Sequence, residues 1–484
     1  MNNGTPSDRP ALIAWIIFLS AGIFLAMLTP LGEGLDEPWH FAYVQHVAQN
    51  HAVPRGHTKF ASLEIDRFLH NHPGSWSLHR NFPEVQTYEE YWTQSNDDRG
   101  AMDQAIRDLR FSGAFTEAEV GVDWQYENHQ PPLYYALTAP VFAAASHLFS
   151  FTTTFLLIRI WTMLIASLMV PAMWMLTRLV FDEKGPGFAA LLAVVVFPGL
   201  YPGVVRVSND ALAAALACWL FFALAAYLKT ERPKYLYAIL ALIVAGLWTK
   251  AFFIPILAGV ILALLSFGKV RAALTVLIAS IGGIPWYVSN YLFFGTITGL
   301  PETVISHITI ATSLQALSSL DWQNFVRVLR SSHVWIGNWS LLGVRSWMYQ
   351  VISWMFMLGL LGFLRRPGRF LDRTIRPLAI LYVAFIAGLV YIATQVFLHT
   401  SVSVAEGWYL TSFIPIESIL FVAGAYALLG GCGRWLVALL SMCCLGLVVY
   451  SALFVALPYY AGLTHHNPSG SLASFHPSMS DFPL

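Results

Sequence analysis

Two adjacent carboxylates, Asp36 and Glu37, stand in "GEGLDEPWHFAYVQHVAQNHAVP", directly after an apolar run. Neighbouring acids repel and resist joint desolvation, which raises a carboxylate pKa toward the value a general base needs. Pro38 favours a helix start there, and the dipole at a helix N-terminus stabilises carboxylates. On the plainer reading, one of the pair is simply an N-cap. His40 lies one turn beyond Asp36 and can share its face.

Further along, "QYENHQPPLYYAL" supplies Glu127 and His129 just before a proline pair, "RVSNDAL" supplies Arg206, Asn209 and Asp210, "GLWTKAFF" supplies Lys250, and "IPWYVSNYLFFG" supplies Asn290. Each polar group sits at the edge of an apolar stretch, where charges are costly and are functional candidates by default. The cations suit an anionic ligand; the competing reading is that Arg206 and Lys250 snorkel to lipid phosphates. "SVSVAEGWYLTSFIPI" adds Glu406 and Tyr409, which read equally as an interfacial anchor. Eight of the 15 histidines fall between His40 and His129, yet no HExxH motif occurs, and His70, His72 and His79 lack a matching acid or cysteine pattern. No metal ligand is assigned, no cofactor is certain, and a divalent metal is left open. Walker A, strand-following GxGxxG and GxSxG patterns are absent, which leaves ATP-driven transport and serine hydrolysis without a sequence basis.

The composition says what must hold these residues. Of 484 residues 57% are hydrophobic and 11% charged, far from the roughly 25% charged residues of a soluble chain. This is the composition of an all-α polytopic membrane protein, and 17 Trp, 20 Tyr and 33 Phe suit aromatic belts rather than a β-barrel. A net charge of zero argues against a nucleic-acid partner. The four cysteines all lie in apolar stretches, so no disulfide framework is legible.

Spanning-length apolar windows run near 11 to 30, 154 to 180, 186 to 205, 211 to 228, 235 to 250, 251 to 268, 272 to 293, 346 to 364, 377 to 397, 409 to 430 and 435 to 457, about 11 transmembrane helices in one domain. The stretch 131 to 150 contains three prolines and reads as a juxtamembrane segment. Leaving it out places the Lys/Arg clusters, including "RRPGRFLDRTIR", on the cytoplasmic side with the N-terminus. A long first external loop (31 to 130) with juxtamembrane helices, a second external loop (294 to 345) and an external tail (458 to 484) then face outward. Loops this long are functional or disordered, and the first is too rich in Trp and Tyr for disorder.

In this order, "LDEPWH", "ENHQPPLYY", "VSNDAL", "GLWTKAF", "WYVSNYLFFG" and a late "GWYL" resemble the GT-C superfamily of integral-membrane glycosyltransferases, which includes protein O-mannosyltransferases and the lipid A aminoarabinose transferase. The resemblance covers most of the chain. It implies a GT-C-like fold and an inverting transfer from a polyprenyl-phosphate-linked sugar donor, lying in a groove of the bundle, to an acceptor at the outer face. By position, Asp36 matches the family's catalytic acid residue and Glu37 its partner, and His129 falls where some relatives carry a basic residue. Trp408, Tyr409 and Leu410 stand where many relatives read Arg-Tyr-Leu, so that arginine is not carried over.

The chemistry agrees: a carboxylate such as Asp36 can take the acceptor's proton, worth about 10²- to 10⁴-fold. Lys250, Arg206 or His129 can stabilise the phosphate leaving group. Glu37 or His40 would orient the base or the sugar, while Asn209, Asp210 and Asn290 would line the sugar pocket or tie helix ends. The acceptor is a lipid, protein or polysaccharide, the surrounding partners are membrane lipids, and a bacterial inner membrane with a periplasmic site is the expected setting. The rival reading is a transporter or flippase for an anionic lipid-linked sugar, which would place polar groups at the bilayer midplane or on both sides. A third reading is a scaffold whose outer loop binds a partner.

Overall fold

The computed structural model describes residues 9–55, 60–81, 83, 85–113, 115–117, 126–299, 310–368, 372–467, 471–473 and 475. Parts of the expected first loop, second loop and tail therefore lie outside the described residues. Among those described, seven helical stretches are long and apolar enough to cross a membrane: Arg9–Leu28, Phe151–Val180, Asp210–Thr230, Val270–Phe294, Ser346–Arg365, Ile375–Thr400 and Gly407–Tyr460. The last turns at Gly430–Cys432 and so contains two helices, Ile414–Leu429 and Gly433–Ser451. Three shorter apolar helices, Lys184–Val195, Pro233–Leu247 and Phe253–Ser266, complete the bundle. Helix occupies all eleven apolar windows of the sequence, and the chain is an all-α polytopic membrane protein.

Asp210–Thr230 is the hub. Its run of alanines lets neighbours approach closely, and its side chains are buried around the whole circumference. It packs on Pro233–Leu247, Met169–Val180, Phe151–Ser167 and the 3₁₀ segment Gly407–Phe413. Arg9–Leu28, in contrast, buries only Ala14, Phe18, Gly22 and Ala26, one residue per turn, and presents the remainder outward.

The described residues between 31 and 130 form mainly short helices: Glu37–Asn50, Leu63–Asn71, Trp76–Asn81, Tyr88–Thr93 and Asn96–Asp108. One departure from an all-helical reading is a two-stranded antiparallel ribbon, Phe60–Ser62 with Phe115–Glu117, in which Ala61 faces Thr116. The proline-containing stretch forms Leu133–Leu148, with Pro140 inside the helix, and lies along Glu37–Asn50 and Phe151–Ser167. Phe41 stacks on Phe155 at 4.2 Å, and Phe142 and Phe151 meet Phe41 edge-on. Offset and edge contacts of this kind add about 0.5–1.5 kcal/mol per pair beyond area burial, and here they fix the helix that begins at the acidic pair.

Ser346–Leu360 and Ile414–Leu429 cross where backbones nearly touch. A Cβ on Gly362 would lie 1.8 Å from the Gly424 carbonyl oxygen, and one on Gly424 would lie 2.3 Å from the Gly359 oxygen. The obstructing atoms are backbone and cannot rotate away. Gly424→Val should therefore destabilise the detergent-solubilised protein by about 1–3 kcal/mol or more. Its thermal midpoint checks this, and a midpoint equal to wild type would contradict the crossing.

Candidate active site

The acidic pair divides its labour. Glu37 is fully buried and gripped by Arg159, whose Nε and Nη2 donate to Oε1 and Oε2 at 2.6 and 2.5 Å. Backbone N–H groups of Gly32 and Gly34 donate to Oε2, and that of Val207 donates to Oε1 at 2.9 Å. The same guanidinium donates to the carbonyls of Ala26, Thr29 and Pro30, capping the end of Arg9–Leu28 with a cation where the helix dipole favours one. With both oxygens engaged, Glu37 has the geometry of a positioning residue rather than that of a group meeting substrate. Arg159 was not singled out from sequence, although a lone arginine inside the apolar run "FTTTFLLIRIWTMLIAS" was the available signal.

Asp36 occupies the N-cap position of Glu37–Asn50, but in left-handed conformation (φ 57°, ψ 13°) and without a side-chain capping hydrogen bond. The plain N-cap reading fails for its side chain. For a non-glycine residue this conformation costs on the order of 1–2 kcal/mol, although Asp tolerates it better than most. Glu37's ties to the loop before it hold the turn in place. Asp36 is half-buried, in contrast to the enclosed Glu37 and His40 that flank it.

A cationic cluster stands across the loop. Arg206 and Lys250 both donate to Asp210, Arg206 through Nη2 at 2.6 Å. Arg206 Nη1 also donates to the Leu35 carbonyl, next to Asp36. Ser208 Oγ donates to Asp210 at 2.9 Å, and its oxygen receives the Asp210 N–H. Two cations thus share one carboxylate, leaving net positive charge, and Arg206 Nε is buried without a hydrogen-bond partner among the described residues. Both cations are buried and turned into the protein, so neither snorkels to lipid. Asn209 donates to Gln130 Oε1 and to the Thr249 carbonyl, tying three turns at one end of the bundle.

His40 Nδ1 lies 2.7 Å from the Tyr135 hydroxyl, and its Nε2 lies 3.9 Å from Glu127 Oε2. Burial, reinforced by the charges of Arg206 and Lys250, pushes the His40 pKa well down and keeps the ring neutral. Burial, reinforced by the negative charge of Asp36, pushes the Glu127 carboxyl well up. His129 joins through its ring Nε2, 3.2 Å from Gln130 Nε2, while its carbonyl accepts from Trp286 Nε1 and Asn290 Nδ2, each at 2.9 Å. Asn290 thus ties the helix Ile284–Phe294 to the turn that carries His129. Glu406 and Tyr409 flank Gly407 at the entry to Gly407–Phe413 and are half-buried. Gln130, Ser208, Thr249 and Tyr135 are polar partners that sequence reading did not select. Among the described residues, no group of three His, Cys, Asp or Glu side chains is arranged to hold a metal ion.

Beside the cluster runs an apolar groove of about 540 Å³ lined by Leu133, Leu240, Ala241, Val244, Ala245, Trp248 and Ala279. Trp248 lies two residues before Lys250 and accepts, through its carbonyl, the Leu133 N–H. Its ring is 6.4 Å from that of Trp286, over which the Arg55 guanidinium sits at 4.4 Å.

Residues 129–323 match the family model described as dolichyl-phosphate-mannose-protein mannosyltransferase. The matched segment contains His129, Arg206, Asn209, Asp210, Lys250 and Asn290; Asp36, Glu37, His40, Glu127, Glu406 and Tyr409 lie outside it. The match supports a GT-C superfamily glycosyltransferase, an integral-membrane enzyme using a lipid-linked sugar. No curated protein matches the chain.

Removing one partner of a buried ion pair leaves an uncompensated charge, so Arg159→Met should cost about 3–5 kcal/mol, while Arg159→Met combined with Glu37→Met should recover most of that loss. Thermal unfolding in detergent reads both. A single substitution as stable as wild type would contradict the clamp.

Proposed function

We propose that this protein transfers a sugar, with inversion, from a polyprenyl-phosphate-linked donor to an acceptor hydroxyl, with Asp36 as general base. One juxtaposition carries the reading: the half-buried Asp36 directly follows Leu35, whose carbonyl is held by Arg206 of a buried cluster of net positive charge, and an apolar groove ends two residues from Lys250. The groove suits a polyprenyl chain, whose burial contributes about 0.8 kcal/mol per CH₂. The cluster suits its phosphate. Such a donor needs both in this order along one line.

In the step itself, Asp36 accepts the acceptor's hydroxyl proton as that oxygen bonds to the anomeric carbon. The bond from that carbon to the phosphate oxygen breaks, and the electron pair leaves with the phosphate. A phosphate leaving group needs charge stabilisation more than a proton, and Arg206 and Lys250 supply it from fixed positions in a low-dielectric pocket. Glu127 serves as a neutral neighbour, so that a second negative charge does not oppose ionised Asp36; environments that push two carboxyls apart separate their roles. His40, held by Tyr135, and Tyr409 border the sugar.

Function at the non-cytoplasmic face follows from the Lys/Arg bias, with the N-terminus in the cytoplasm and the site in the periplasm of a bacterial inner membrane. The clustering of polar groups at one end of the bundle favours an enzyme over a flippase, which needs access to the donor from both faces.

The test is transfer of labelled sugar from polyprenyl-phosphate donors to a membrane extract. Asp36→Asn should lower transfer by about 10²-fold or more. Glu127→Gln, which mimics the protonated acid, should stay within about tenfold of wild type. Full activity of Asp36→Asn, or loss in Glu127→Gln equal to that in Asp36→Asn, would contradict the assignment.

A further inference from the structure

Three residues before Asp36, on the same loop, Glu33 is enclosed at 1% exposure and joins segments far apart in sequence. Its Oε1 accepts the Ser340 N–H at 2.6 Å, and its carbonyl accepts the Trp339 N–H at 3.2 Å. The short 3₁₀ turn Asn338–Ser340 is thereby stitched to the loop that ends in Asp36. The Ser340 carbonyl lies 3.1 Å from His466 Nε2, and His466 Nδ1 lies 2.8 Å from Glu89 Oε1. The His466 ring also stacks on Trp76 at 5.3 Å. The chain beyond Tyr460 thus straps the 338–340 turn against the helices Trp76–Asn81 and Tyr88–Thr93.

Among the described residues, Glu33 Oε2, the phenols of Tyr88 and Tyr460 and the Ser340 hydroxyl are buried without a hydrogen bond of good geometry; the Ser340 hydroxyl and the Tyr460 phenol lie near the Glu33 carboxyl, and the field of Arg159 reaches the Tyr88 phenol. The phenols of Tyr88, Tyr459 and Tyr460 surround the carboxyl, and the charged group whose field reaches it is Glu37, which is also acidic. Arg159, the nearby cation, is bound to Glu37 and the carbonyls beside it. The ion pair of His466 with Glu89 connects to this shell through the Tyr459 phenol, which donates to Glu89 Oε2 at 3.1 Å. An ionised Glu33 would be an uncompensated charge inside an aromatic shell, whereas a protonated one is neutral and can donate to a phenol or hydroxyl.

We propose that Glu33 is a positioning residue acting as a proton-carrying fastener: protonated, it seats the 338–340 turn and the chain beyond Tyr460 on the loop that holds Asp36, and ionised, it releases them. Burial pushes the Glu33 carboxyl up to about 8. A carboxyl raised in the folded state contributes stability that is complete below its ordinary value near 4.5 and is lost as pH rises through about 8. Assembly of the Asp36 loop is therefore favoured in acid and loosened in alkali. The transfer readout below rests on the proposed function; the exchange readout does not.

The experiment follows hydrogen–deuterium exchange of residues 335–345 in the full-length protein, corrected for intrinsic rates, from about pH 6.5 to about pH 9.5, with transfer measured in parallel. One pK unit corresponds to about tenfold in the opening equilibrium, so wild-type protection should fall at least about tenfold with a midpoint near pH 8. Glu33→Gln, neutral at every pH, should keep its protection and lose the alkaline fall in transfer. A Glu33→Gln profile that falls together with the wild type overturns the proposal. Should Glu33→Gln not fold, the wild-type profile decides, since flat protection across this range overturns the fastener. An exchange step without transfer in any variant supports the fastener and sinks the transferase reading.

Discussion

The bidentate grip of Arg159 on Glu37 is the interaction on which the site depends. It joins the end of Arg9–Leu28, the glycine-rich loop 32 to 34, the start of Glu37–Asn50 and the Val207 turn at a single point. Four pieces of backbone take their positions from one guanidinium and one carboxylate. That point holds the loop on which Asp36 stands in left-handed geometry, next to the Leu35 carbonyl bound by Arg206. Charge-assisted bidentate pairs are directional as well as strong, so the clamp sets where Asp36 stands more than it adds to overall stability.

Around the clamp, charge is distributed unequally. Asp210 takes two cations, Glu37 takes one, and among the described residues Glu127 and Glu33 face no lysine or arginine at hydrogen-bond distance. Burial then pushes Glu127 and Glu33 toward the neutral form, while His40 is kept neutral by burial and by the cations nearby. The result is a compartment in which most acids are matched or protonated, and under the proposed function Asp36 is the carboxylate left to act as base. Under the proposed function the apolar groove adds direction, because a hydrocarbon tail would lie along Leu240 to Trp248 and its anionic head toward Lys250.

Much of this was legible in the sequence. The apolar windows are dictated by backbone satisfaction in lipid, and helix occupies most of each, with a break at residues 196–199 in the third. The residues that converge on the cluster were also visible, because each charge interrupted an apolar run at its edge. Arg159 was hidden by the same logic, since it lies within a window and reads as part of a span. The partner of Glu37 was not legible, because two adjacent residues at a helix start point to different partners and Arg159 lies 122 residues away. The contacts of Glu33 with Trp339 and Ser340 join positions some three hundred residues apart, and no local pattern predicts them. The ribbon between residues 60–62 and 115–117 was missed for a similar reason, three residues being too few to show alternation.

The central claim is that the groove and the cations form one site for one lipid phosphate. A cryo-electron microscopy structure of the Asp36→Asn protein with polyprenyl phosphate tests it most directly. The account predicts the phosphate within about 3 Å of Arg206 or Lys250 and the first isoprene units along Leu240 to Trp248. A phosphate seated away from both cations, with the chain outside the groove, would contradict it.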